Sequence, residues 1–121
     1  MKRRIALLSD VHGNATALEA VLADAESQAV TDYWFLGDLL MPGTGRRNIL
    51  DKLEWLPISL QVRGNWEDSL WHALHQKLDL TRPSHLYLTK LCHFVLEEIL
   101  PEEIDRMREL PLQVLTEVAG L

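Results

Sequence analysis

Three short apolar runs, each ending in a polar cluster, set the rhythm of the chain. Arg4 to Ser9 is apolar through Ile5-Ala6-Leu7-Leu8 and closes on a polar turn, which predicts a buried parallel strand. A second run, Tyr33 to Leu36, closes on Gly37-Asp38, and a third, Ile58 to Val62, closes on Arg63-Gly64-Asn65. Between the first two, Leu18, Val21, Leu22 and Ala25 fall at i, i+3, i+4 and i+7, one apolar helix face, while Glu19, Asp24 and Glu26 face water. Asn14 stands where its side-chain oxygen caps that helix. The second interval holds a loop from Gly37 to Gly45, whose glycines and Pro42 exclude regular structure, and then a helix over Arg46 to Trp55.

This order predicts an α/β fold: a βαβαβ parallel sheet with right-handed crossovers, layered with helices. In such sheets ligands gather beyond the carboxyl ends of the strands. Asp10, Asp38 and Asn65 sit there, at successive intervals of 28 and 27 residues. Downstream the pattern turns helical. Glu67 to Leu78 reads as one helix. Pro83 starts another, in which Leu88, Leu91, Cys92, Val95 and Ile99 keep the 3.6 period. Pro101 opens a short third helix through Glu109, and Pro111 stops it. Leu112 to Val118 then reads as a strand. The expected organisation is one domain over 1–121: a core at 1–66, a helical segment at 67–110 and a final strand at 111–121.

The length of 121 residues fits that single domain, and 47% hydrophobic with 25% charged residues is ordinary for a folded chain. A net charge of −6 argues against binding to nucleic-acid backbone, which needs clustered Lys and Arg. An acidic chain that handles phosphate needs metal ions or helix ends to receive the anion. Cys92 is the one cysteine, so no internal disulfide forms, and its apolar helical setting marks it as a small core residue. No apolar run reaches the length of a membrane span, and Asp10 interrupts the short apolar stretch after Lys2-Arg3-Arg4. The expected compartment is the cytoplasm, with no membrane partner.

Asp10, His12, Asp38 and Asn65 form a hard-to-borderline metal-ligand set. Carboxylate with imidazole suits manganese, iron or zinc; the carboxylates and the Asn65 amide oxygen also tolerate magnesium. Asp-x-His lets both side chains leave one loop toward one ion. A carboxylate such as Asp38 can bridge two ions, and a pair about 3.5–4 Å apart clamps a phosphate and activates water. Each residue also has a plainer reading. Asp10 and Asp38 are turn residues, and Asn65 is a helix cap. Their arrival in step at three strand ends favours the metal. Arg63 reads equally as a phosphate contact and as a surface cation. His72 and His75 read as a surface or partly buried pair. Glu97-Glu98 and Glu102-Glu103 read as a solvated face.

Three stretches together resemble the motifs of calcineurin-like metallophosphoesterases: Asp10-Val11-His12-Gly13, Gly37-Asp38 and Gly64-Asn65-Trp66-Glu67. The resemblance is closest to the small bacterial phosphodiesterase-like branch. It implies the N-terminal half of an α/β/β/α sandwich. It further implies two divalent ions, with Asp10 and His12 on one, Asp38 bridging and Asn65 on the other. The activity implied is hydrolysis of a small-molecule phosphoric ester, by a phosphodiesterase or phosphatase using metal-bound hydroxide. Asp38, Asn65 and Arg63 would carry that catalysis. The chain departs from the pattern twice. Trp66 stands where the family has a histidine. The family's later histidine ligands, which lie in glycine loops, have no counterpart, so their roles are not carried onto His72, His75, His85 or His93. The expectation is therefore a truncated metallophosphoesterase domain. The alternative is an inactive remnant that binds one divalent ion or a partner chain, its open sheet favouring a homo-oligomer or strand-exchanged dimer. A phosphoacceptor signalling domain finds less support: no acidic pair ends the first strand and no lysine ends a late one.

Overall fold

The computed structural model describes residues 2–121. Three strands, β1 (Ile5–Leu8), β2 (Asp32–Phe35) and β3 (Ile58–Gln61), form one parallel sheet in the order β1-β2-β3. Helices α1 (Ala15–Ser27) and α2 (Arg47–Glu54) make the crossovers, and α3 (Asn65–Leu74), α4 (Pro83–Leu96) and α5 (Pro101–Glu109) follow. This is the α/β arrangement the apolar runs predict. Ile5 pairs with Asp32 and Leu8 with Phe35; the β2–β3 ladder is irregular at Tyr33/Trp34.

Alternation along the strands divides the sheet into two unlike faces. Tyr33 and Phe35 point into the core, Phe35 fully buried, and Ala6, Leu8 and Ile58 pack beside them. Every helix adds to this one core: Leu18 and Ala25 from α1, Ile49 and Leu53 from α2, Leu70 and Ala73 from α3, Cys92 and Val95 from α4, Ile104 and Met107 from α5. The opposite face carries Leu7, Trp34 and Leu36 and adds nothing to that core; Leu7 is 60% and Leu36 40% exposed.

Local chemistry sets most of the helix ends. The Asn14 side chain accepts the Ala17 N–H at 3.0 Å, as the cap pattern predicts. Pro83 and Pro101 occupy first helical positions, where a missing N–H costs nothing. Helix α3 starts two residues earlier than expected, because Glu67 reaches back to the Gly64 N–H at 2.8 Å and stabilises the first turn. Val21, expected on the core face of α1, is exposed. Ile99 is buried, in the turn after α4 rather than within the helix.

Two further expectations fail. Residues 111–121 form no strand. Alternating apolar residues make a strand only against a ladder partner, and apart from the Pro111 carbonyl, which accepts the Arg63 N–H at 3.0 Å, the segment lies off the sheet with Leu112, Val114 and Leu115 exposed. The acidic run is also not simply solvated. Arg46 bonds Glu97 at 2.9 Å and Glu98 at 2.6 Å, and Arg47 bonds Glu103 at 2.6 Å. These pairs tie the start of α2 to α4 and α5. Among the described residues no helix is long and apolar enough to cross a membrane.

Candidate metal centre

The loops after β1 and β2 continue the sheet beyond its strands. The Asp10 N–H donates to the Gly37 carbonyl at 3.1 Å, His12 to Asp38 at 2.9 Å and Gly13 to Leu39 at 2.8 Å. A third segment joins them: Gly43 donates to the His12 carbonyl at 2.9 Å and Gly45 to the Gly13 carbonyl at 2.7 Å. Such close approach needs glycine. An ideal Cβ on Gly13 would lie 2.6 Å from the Gly43 oxygen, and one on Gly37 would lie 2.4 Å from the Gly64 nitrogen. Leu39, Leu40 and Met41 anchor the second loop in the core.

Asp10, His12 and Asp38 each sit at positive φ, at 58°, 49° and 61°. Left-handed backbone at non-glycine residues costs about 1–2 kcal/mol per residue and collects at functional sites. Here the three side chains turn toward one another. One ligand atom from each lies within 4.8 Å of the others, close enough for one ion to gather. Among the described residues this is the one such group of His, Cys, Asp or Glu.

The bonding of each member fits a cation. His12 Nδ1 lies 2.7 Å from the Met41 carbonyl, so Nδ1 carries the hydrogen and the neutral ring keeps its lone pair on Nε2. That nitrogen faces Asp10 Oδ1 at 3.1 Å. Two acceptors so placed need a proton or a cation near both. Asp10 is largely exposed. The Ser9 hydroxyl, donating at 2.6 Å, holds its carboxyl below the usual range, with His12 adding to the effect. Asp38 is buried, and burial pushes its carboxyl above the usual range. The Trp66 backbone N–H, donating to Asp38 Oδ1 at 3.0 Å, opposes that shift, and the Glu67 charge adds to it. The Trp66 ring meets His12 edge-on, centroids 5.6 Å apart.

The other expected residues lie differently. Asn65 is exposed at the first position of α3 and does not cap it: Gly64 is the cap residue, and the Asn65 side chain lines a cleft of about 260 Å³ with Trp66, Ser69, Ser84 and Tyr87. Arg63 is a structural cation. Its Nε donates to Asp68 at 2.8 Å and its Nη1 to the Leu110 carbonyl, and none of its hydrogen bonds reaches Asp10, His12 or Asp38. The nearby acid and carbonyl draw the guanidinium toward α5. His72, His75 and His85 bond other partners: His72 the Asp68 carbonyl, His75 the Asp105 carboxylate, His85 the Asp79 N–H. A cleft of about 660 Å³ opens beside the centre, between Asp10, His12, Thr16, Thr44 and Asn48. Sequence reasoning assigned no role to Glu67, whose carboxylate binds both the Asp38 and the Gly64 backbone. The signal for it was its place at the end of the third motif, Gly64-Asn65-Trp66-Glu67.

The model of a family described as calcineurin-like phosphoesterase matches residues 3–117. The fold is similar to the crystal structure of a metallophosphoesterase from Sphaerobacter thermophilus, with a TM-score of 0.68 and 29% identity. That match covers 96% of this chain and 44% of the other, so the chain spans less than half the length of that relative. The comparison with curated proteins found no match.

Proposed function

The chain belongs to the calcineurin-like phosphoesterase family, and from that premise we propose that it is a metal-dependent hydrolase of phosphoric esters, acting on a small phosphodiester or phosphomonoester. The observation behind this reading is the convergence of Asp10, His12 and Asp38 within 4.8 Å at the carboxyl edge of the sheet. Carboxylate oxygens and an imidazole nitrogen whose other nitrogen is fixed by a carbonyl are ligands for manganese, iron, zinc or magnesium. When bound, a divalent ion supplies a Lewis acid for phosphoryl oxygen and acidifies water. Asn65, at the first position of α3, is the residue proposed to serve a second ion.

The chain's own groups then have defined tasks. The Met41 carbonyl fixes the hydrogen of the His12 ring on Nδ1 and so leaves Nε2 as the nitrogen that faces an ion. The Trp66 N–H holds one oxygen of Asp38 in place. The indole of Trp66 exchanges no proton near neutral pH, so it gives no acid to a departing alcohol. That favours esters whose alcohols leave without help.

The test is hydrolysis of bis(p-nitrophenyl) phosphate during a manganese titration, with Asp38→Asn beside the parent. Release of nitrophenolate that requires the metal, and falls to background in the variant, is expected. Undiminished turnover in Asp38→Asn would sink the reading. A second reading, metal binding without turnover, draws on Asn65, which is exposed at the start of α3 and lines a separate cleft. It is preferred if manganese raises the melting temperature while no ester is cleaved.

A further inference from the structure

We propose that Glu67 is a positioning residue for the metal centre: its carboxylate holds the Asp38 loop in the turn that aims Asp38 at Asp10 and His12. This inference rests on the metal-centre reading.

Glu67 is only 5% exposed. Oε2 accepts the Asp38 N–H at 2.9 Å and the Gly64 N–H at 2.8 Å, and Oε1 accepts the Leu39 N–H at 2.9 Å. Among the described residues no cation pairs with it at salt-bridge distance. A buried carboxylate without a counter-charge is costly unless backbone donors replace water. Three do so here, and only the Gly64 bond serves helix capping. The other two reach across to the loop that carries Asp38.

That loop is therefore held from both sides. Its N–H groups at Asp38 and Leu39 bind Glu67. Its carbonyls at Gly37, Asp38 and Leu39 accept Asp10, His12 and Gly13. A route of hydrogen bonds runs from the Glu67 carboxylate through the Asp38 backbone to the backbone of both other ligands. Glu67 acts on the metal through the placement of all three, its hydrogen bonds going to backbone N–H groups alone.

The experiment measures manganese affinity by calorimetry for the parent, Glu67→Gln, Glu67→Asp and a control, Ile104→Val, in the α5 core. Glutamine keeps the shape but turns an amide donor toward backbone N–H groups; aspartate keeps the charge but is one methylene too short for all three bonds. Affinity per folded molecule is expected to fall about tenfold or more in Glu67→Gln, as for other residues that orient metal ligands. Glu67→Asp is expected to lie between that variant and the parent. Ile104→Val lowers the melting temperature and leaves affinity as in the parent. Parent-like affinity in Glu67→Gln, or in Glu67→Asp should the glutamine variant not fold, overturns the proposal. So does a loss that follows melting temperature across all variants. A folded parent that binds no manganese overturns the metal-centre reading instead, and this inference with it.

Discussion

His12 is held at both of its nitrogens, one by the Met41 carbonyl and one facing Asp10. A ring so constrained loses little rotational freedom on binding an ion. Asp38 is more tightly enclosed still. An ideal Cβ on Gly64 would stand 2.2 Å from Asp38 Oδ1, so the carboxylate lies directly against the glycine. Gly64→Ala must displace it. We expect a stability loss of about 1–3 kcal/mol, by denaturant titration, together with weakened manganese binding. Parent-like affinity in that variant would show that Asp38 has slack the packing does not suggest. The convergence of Asp10, His12 and Asp38 was legible because Asp-x-His and Gly-Asp end apolar runs. The role of Arg63 was not, because one of its partners, the Leu110 carbonyl, is brought to it by the docking of α5, which no local pattern encodes.

At the scale of elements, Arg46 and Arg47 clamp α2 to the helical segment. Arg46 also lies over the Phe94 ring, 3.8 Å from its centroid. The Glu103 carboxyl is held below its usual range first by its bonds to Arg47, with the Leu100 N–H helping. A depressed carboxylate stabilises the fold above the unfolded-state pKa and loses that contribution as pH falls through the folded value. Glu103→Gln should therefore melt lower than the parent at pH 7, by about 4 °C for a loss of about 1 kcal/mol. The gap should close as the pH is taken below that of an ordinary carboxylate; a gap unchanged with pH would show that the ion pair is not its source. Strands and helices were legible from apolar period and proline placement, and α5 runs from Pro101 to Glu109 as the sequence indicates. Residues 111–121 were misread because period-2 alternation states a preference and says nothing about whether a strand edge is there to meet it.

For the molecule as a whole, an acidic chain that gathers Asp10 and Asp38 in one place sets two carboxylates against each other, a repulsion that a bound cation would relieve. Binding to the folded state alone raises stability by mass action. Manganese at about one hundred times its dissociation constant should add about 2.7 kcal/mol, read as a rise in melting temperature that Asp38→Asn abolishes. An equal rise in the variant would place the ion elsewhere.

The bonds that join the loops at Asp10–Gly13, Gly37–Leu39 and Gly43–Gly45 have a further consequence. Loops are ordinarily the first parts of a domain to open, at little cost in free energy. Here the amides of His12, Gly13, Gly43 and Gly45 are bonded to neighbouring loops, and the middle loop is rooted in the core through Leu39, Leu40 and Met41. Deuterium exchange at those four amides will be slow, keeping pace with Phe35 in the central strand. A centre built this way is expected to open only with the domain, keeping Asp10, His12 and Asp38 assembled for as long as the chain is folded.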